Sequence, residues 1–531
     1  MENWREEFLK TVCQIYMAAV LVVLPLYYIP GNGYYKLGDS KYYLYRNISL
    51  ICMGICLAVQ IIGVVRNCRM EKHRWMKQHC QMENSSSSGM YMRKTGGKII
   101  RWCREHSVVT AVCLYGFCAL LSALCSPYGS TAWTGEKEWY MGAVTICLMV
   151  GGFLLASDYS GQCMRILYLG EAVAVTVALI GLLQKLGYDP LGLLKGYVVG
   201  DWEYTHMLST LGNNNWLSGY YSVMLPLSLS LFCKAAEEGR RVASFLFGGG
   251  NALMLMLLLL QGSDGGVIVA CVTLWICFWS SRKKNGLWEP LLVLLSGVCI
   301  GMLLWGKGMQ SLGTYAILLQ DGIARKMAVW QGWFPLAVVC LLFCGIYYTL
   351  PEKKKRALQI GALCGSLLLA AGVIIWYILK LQDSNFAEWG NRRGMLWQMA
   401  WQGFCRGDLK QKLLGAGPDC FAGYLEQVLP GGTVLFDKGY FAGSIFTNAH
   451  NEWLTTLINL GVPGTVAYAA VFLTALRKYR GNSLANMLLL AYGMHSLISF
   501  QQVLNAPFFF LLLGVCEAGQ RKEKQFSTDT H

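Results

Sequence analysis

The chain has 531 residues, 55% of them hydrophobic and only 14% charged, against about 25% charged in an ordinary soluble domain. Its 30 acidic and 45 basic side chains cannot cover a water-facing surface of 59.1 kDa, which excludes a soluble multidomain enzyme, and the abundant aromatics exclude a disordered chain. The net charge of +15 sits in short basic clusters between apolar runs, the pattern of membrane loops and not of a nucleic-acid surface.

A bilayer crossing needs about 20 apolar residues, and by that measure the chain is an all-α polytopic membrane protein of about 14 (12–14) transmembrane helices. The expected spans are 12–29, 47–65, 107–125, 139–156, 165–183, 211–233, 243–260, 266–280, 289–305, 331–350, 357–379, 453–474, 485–499 and 503–517. The first is flanked by Glu2, Glu6 and Glu7 as well as Arg5 and Lys10, so it reads as a retained span and not a cleaved signal peptide. Between spans two and three, the polar segment 66–106 carries Arg66, Arg69, Lys72, Arg74, Lys77, Arg93, Lys94, Lys98, Arg101 and Arg104. The positive-inside rule makes it cytoplasmic, and the serine run 85–88 within it has the composition of a flexible linker.

Counting onward, every second loop is again basic: Lys234 with Arg240 and Arg241, Arg282 to Lys284, Lys353 to Arg356, Arg477 to Arg480, and Arg521 to Lys524. One parity therefore faces the cytoplasm, and both termini fall on that side. The other parity contains the longest polar stretch, 380–452, which is nearly charge-balanced. A loop of that length is expected to have its own short helices or a function. Three regions result: 1–379 with eleven spans, the extracytoplasmic loop 380–452, and 453–531 with the last spans and a short tail. Most of the 21 cysteines lie in apolar runs, where they act as small hydrophobes. Cys405 and Cys420 share the long loop and could pair.

The long loop also holds the residues with chemistry. Arg392 and Arg393 precede Trp397, Ala400, Trp401 and Phe404 at helical spacing, so 393–405 reads as an amphipathic helix on the outer membrane surface. Two guanidiniums at a helix amino terminus could hold a diphosphate, or could equally meet lipid headgroups. Gly415-Ala416-Gly417-Pro418 reads as a tight turn. Asn448-Ala449-His450-Asn451-Glu452 places one of seven histidines where the loop meets a span. Such a histidine can act as a general base, with Glu452 near enough to orient it, or can be an ordinary interfacial side chain. Leu460-Gly461-Val462-Pro463-Gly464 follows.

In this order, Arg-xxx-Trp, Gly-x-Gly-Pro-xx-Phe, Ala-His-Asn-xx-Leu and Leu-Gly-x-Pro-Gly resemble the O-antigen ligase and polymerase family of membrane glycosyltransferases. The motif-bearing part is 390–465. The resemblance implies a polyprenyl-diphosphate-linked glycan donor and a glycan or other cell-envelope acceptor. It also implies Arg393 as the diphosphate-binding arginine, His450 as the base, no cofactor and no metal. Arg392, Trp397, Asn451 and Glu452 are the neighbouring candidates for substrate binding. Gly212-Asn213-Asn214-Asn215 resembles the family's Gly-xx-Asn helix start, though asparagine also simply caps helices. The sequence departs from the family at 261–266, where Asp264 stands in place of an arginine thought to meet phosphate. Lys185, Arg325 and Lys326 are the cations that could replace it. Two other classes fit a polytopic chain: a polysaccharide flippase or transporter, expected to carry charge inside several spans, and a non-catalytic partner that binds the lipid-linked glycan.

Overall fold

The computed structural model describes residues 2–79, 101–161, 163–198, 201–282, 284, 286–312, 326–327, 329–381, 386, 389–429 and 446–529. Arg325, the serine run 85–88 and residues 430–445 of the long loop lie outside them. The described residues are mostly helical, at 79%. The helices are α1 (Glu2–Ala18), α2 (Leu37–His79), α3 (Ser107–Cys125), α4 (Ala143–Tyr159), α5 (Met164–Lys185), α6 (Asn214–Glu237), α7 (Arg241–Leu260), α8 (Asp264–Ser281), α9 (Trp288–Leu312), α10 (Trp333–Thr349), α11 (Glu352–Leu381), α12 (Trp389–Arg406), α13 (Leu409–Leu414), α14 (Phe421–Val428), α15 (Glu452–Lys478), α16 (Ser483–Ser496) and α17 (Ala506–Asp529).

Among the described residues nine helices are long and apolar enough to cross a membrane, which fits a multi-pass protein. Helices also cover the other five expected spans. Of these, α4, α10 and α16 are shorter, and α11 and α17 run into charged clusters. Helix α2 continues to His79, well past the expected end at 65, so the start of the basic segment is helical.

The core forms where α15 packs on α3, α17 on α4, and α6 against α7, α8 and α16. Helix α6 is buried on all sides, as expected of a helix surrounded by protein. Two of its serines are satisfied within the helix: the Ser218 and Ser222 hydroxyls donate to the Asn214 and Gly219 carbonyls at 2.9 and 2.6 Å. At the end of the bundle away from His450, the buried Glu517 of α17 accepts from Lys478 at 2.6 Å and from the Tyr479 hydroxyl at 2.5 Å. Arg521 bridges Glu517 and Asp158, so one carboxylate ties together α15, α17 and α4.

The described part of the long loop packs into a separate core with the end of the bundle: Met399, Ala400, Ala416, Cys420, Phe421, Tyr424 and Leu425 meet Ala123, Ala132, Ala143 and Ile458. This corrects the expected setting of the amphipathic helix. Helix α12 forms, but its apolar side is docked on α14 and α15 and not on lipid. Leu396, Met399 and Ala400 are buried while Trp401 is 55% exposed. Cys405 is exposed and Cys420 buried, and both are free thiols.

The two glycine–proline motifs turn out to be halves of one joint. Pro463 has no N–H to offer the Asn459 carbonyl, and Gly461 leaves helical geometry at φ 68° and ψ −172°, so α15 is kinked with the carbonyls of 458 and 459 free. The turn at 415–418 fills the gap. Ala416 N–H donates to Ile458 C=O and Gly417 N–H to Asn459 C=O, both at 2.9 Å, and Ser122 of α3 adds a hydroxyl to Asn459 C=O at 2.8 Å. The approach is so close that a Cβ on Gly415 would collide with the Asn459 carbonyl, and Gly415 itself has φ +76°. Gly415→Ala is therefore expected to lose at least about 2 kcal/mol, from left-handed strain plus overpacking. Gly54→Ala is the control, because its Cβ meets nothing. Thermal unfolding of the two purified variants in one detergent separates them, and equal melting would remove the joint.

Candidate active site

Four separate pieces of chain meet at the end of the bundle that carries the joint. The first is the start of α12. Arg392 has left-handed backbone, φ 66°, and Arg393 follows in the first turns with its guanidinium half-buried. Burial lowers the Arg393 pKa, and the nearby Asp264 carboxylate opposes that shift. Trp397 lies one turn further along, half-buried.

The second piece is the 448–451 turn. Asn448 Oδ1 accepts from His450 N–H at 3.0 Å, and Ala449 N–H donates to the Thr455 hydroxyl at 3.1 Å. Asn451 caps α15 by accepting from Leu454 N–H at 3.2 Å. These bonds hold His450 at φ 47°, a region histidine tolerates better than most residues. The ring stands edge-on to Phe500, centroids 5.1 Å apart. Burial first, and the Arg393 charge second, bring the His450 pKa down to about 3, so the imidazole is neutral at pH 7, and an anion beside Arg393 is what would restore its basicity.

The third and fourth pieces are the starts of α6 and α8, latched together. Asn213 caps α6, its Oδ1 accepting from Asn215 N–H at 2.8 Å. Ser263 donates to Asn215 Oδ1 at 2.7 Å, and Gln261 Nε2 to the Ser218 hydroxyl at 2.8 Å. Asp264 therefore opens α8 exposed, its charge suited to the helix amino terminus and directed at Arg393. Asp264 thus offsets part of the cost of keeping the arginine charged.

The residue that sequence reasoning missed is His495, at the end of α16. It is 1% exposed, lies against the Asn215 backbone and feels the Arg393 charge. A Cβ on Gly219 would come within 3.2 Å of its ring. A titratable ring inside an apolar helix was the available signal.

The structure thus brings Arg393, His450, Asn215 and Asp264 together. Glu452 is turned away, contrary to its expected role of orienting His450. Its buried carboxylate accepts from Gln501 N–H at 2.7 Å and Thr456 at 2.9 Å, tying α15 to the segment before α17. Lys185 is also apart: it is buried at the end of α5, and the charge it exerts falls on His206. Lys326 is exposed.

Asp419 supports the site from below. It is buried with φ 59°, and its Oδ2 accepts both Glu136 N–H at 2.7 Å and Met141 N–H at 3.0 Å. Burial pushes its pKa up to about 7, against the two N–H donors. Asp419→Asn is expected to fold, because one carbonyl oxygen can accept both bonds. Asp419→Ala strands two N–H groups at about 1–3 kcal/mol each. Because the folded-state pKa is raised, the stability Asp419 contributes is full below about pH 4 and is lost as pH rises through about 7. Melting curves across that window should show this component in the wild type and not in Asp419→Asn; identical pH dependence would refute it.

Among the described residues no group of three or more His, Cys, Asp or Glu side chains is placed to hold a metal ion. The chain matches no protein-family model, and no curated protein is detectably similar to it.

Proposed function

We propose that this chain is a membrane glycosyltransferase that transfers or polymerises a polyprenyl-diphosphate-linked glycan onto a glycan or other cell-envelope acceptor. The reaction takes place at the outer face of the membrane, with both chain termini in the cytoplasm. The observation that carries this reading is the convergence of Arg393, a neutral His450 and the latched α6 and α8 starts at one end of an apolar bundle. The acceptor hydroxyl oxygen attacks the anomeric carbon, and His450 takes the hydroxyl proton. The bond from that carbon to the diphosphate oxygen breaks, its electron pair leaving on the diphosphate, which Arg393 neutralises.

Arg392 adds a second cation beside the same leaving group. Arginine supplies the countercharge in this scheme, so transfer is expected to persist in excess chelator. Reconstitution of the purified protein with a lipid-linked oligosaccharide tests the reading. Products that lengthen on the carrier indicate a polymerase, and products moved to a second acceptor indicate a ligase. Movement of intact donor across the bilayer without bond cleavage would replace the reading with a flippase.

A further inference from the structure

A cavity opens at the same end of the bundle. It encloses about 280 Å³, near the lower end of small-ligand pockets, about 300–1,000 Å³. It lies between the 34–39 segment, the 137–138 turn, the 203–212 segment and the first turn of α6. Tyr35, Trp216, Glu138, Glu203, Lys36 and Lys137 supply its chemistry. Tyr34 is a fixed wall: its hydroxyl donates to Ser209 C=O at 2.9 Å. Asp39 is buried and accepts the Tyr140 hydroxyl at 3.0 Å. Gly38 leaves room for Trp216 in the cleft, since a Cβ there would come within 3.3 Å of the indole.

The composition selects a ligand class. The two lysines are matched by Asp39, Glu138 and Glu203, so the cleft has no net positive charge to concentrate phosphate. Ionised groups line it throughout, so it does not suit a hydrocarbon chain. That contrasts with the groove between α8, α9, α10 and α11, which is lined by Leu274, Trp275, Phe278, Leu292 and Phe343. Flat aromatic faces with carboxylates at the rim suit a saccharide: the C–H faces of a sugar ring pack on Tyr35 and Trp216, and its hydroxyls donate to Glu138 and Glu203.

The position of the cleft connects it to the reacting atoms. Trp216 meets Trp139 edge-on at 5.9 Å, Trp139 meets Phe500 at 4.8 Å, and Phe500 meets His450 at 5.1 Å. One aromatic wall therefore runs from the cleft to the base. Left-handed non-glycine backbone among the described residues occurs at Lys36, Glu138, Tyr140 and Ser209 in and behind the cleft, at Arg392 and His450 in the arginine site, and at Asp419, which holds the 136–141 turn. Strained backbone of this kind collects where ligands are held.

We infer that the Tyr35–Trp216 cleft is the acceptor subsite, holding a saccharide whose reactive hydroxyl reaches His450 along the Trp139–Phe500 wall. The inference rests on the glycan-transfer reading for the acceptor role, though not for saccharide binding itself. The test uses the full chain in nanodiscs and two probes. One is the soluble glycan released by mild acid from the producing cells' own lipid-linked pool, end-labelled. The other is polyprenyl diphosphate without sugar. Tyr35 is 63% exposed and Glu203 half-buried, so Tyr35→Ala and Glu203→Gln leave the core intact.

Each variant is expected to weaken soluble-glycan binding about tenfold or more, through a lost ring face or a lost charge-assisted hydrogen bond. Polyprenyl-diphosphate binding should stay at the wild-type level. In turnover, the KM for acceptor should rise with kcat kept. Wild-type affinity for the soluble glycan in both variants overturns the assignment, as does a wild-type protein that binds no soluble glycan. Loss of polyprenyl-diphosphate binding in the two variants also overturns it, because the cleft then serves the donor. Glycan binding that depends on Tyr35 and Glu203 in a protein that never transfers sugar supports the cleft and refutes the transfer reading alone.

Discussion

His450→Ala is expected to cut the single-turnover rate of glycan transfer by ~10²–10⁴-fold, the usual contribution of a positioned base, with polyprenyl-diphosphate binding unchanged. His450→Asn is the cleaner variant, because asparagine also accepts the left-handed backbone found at position 450. It should be as inactive as the alanine variant while melting closer to wild type. The pH profile carries a second signature. The ring's pKa is lowered by burial and then by the Arg393 charge. A diphosphate bound at Arg393 cancels the second cause, so the pKa of the ring rises in the donor complex. The acid limb of kcat should then lie at higher pH than the acid limb of kcat/KM. A normal rate in both variants sinks the base assignment.

Arg393→Ala is expected to weaken polyprenyl-diphosphate binding by about 100-fold, which is about 2.7 kcal/mol and within the range for charge-assisted bonds to one half-buried guanidinium. It should also slow the chemical step, since the developing negative charge on the leaving group loses its partner. Arg393→Lys restores only part, because the bidentate fork is lost. Asp264 makes the loss larger than the arginine alone would explain: without Arg393, its carboxylate faces the diphosphate uncompensated. The double variant Arg393→Ala with Asp264→Asn should therefore bind donor more tightly than Arg393→Ala. If the second substitution weakens binding further, Asp264 is not a counter-charge and the geometry assigned to the anion site is wrong.

The parts of this molecule legible in the sequence are those that follow from local pattern. Apolar runs placed the helices, and turn residues placed the break at 415–418, whereas 453–474 read as one unbroken span and its kink at Gly461 appears only in the structure. The spacing of Trp397 and Ala400 announced α12, but the periodicity of one helix cannot say whether its apolar side meets lipid or protein. Here the partner is α14, whose Leu425 and Tyr424 come from beyond the intervening turn. Glu452 was placed beside His450 by adjacency along the chain. In the structure the cap at Asn451 starts a helix between them, and the carboxylate points inward to Gln501. His495 was hidden for a related reason: it is remote in sequence from every motif, and only the packing of α16 on α6 and α8 brings it to the arginine.

The joint between the 415–418 turn and the kink of α15 has a mechanical consequence. The helical segment 452–460 is a stiff rod of about 14 Å at 1.5 Å per residue, with His450 just beyond one end and the docked turn gripping the other. It works as a lever whose fulcrum is the kink. A tilt of about 5° there swings the far end through about 1 Å, and a displacement of that size can cost about 10²-fold in rate. The grip of Ala416 and Gly417 on the 458 and 459 carbonyls therefore fixes the aim of an imidazole it never touches.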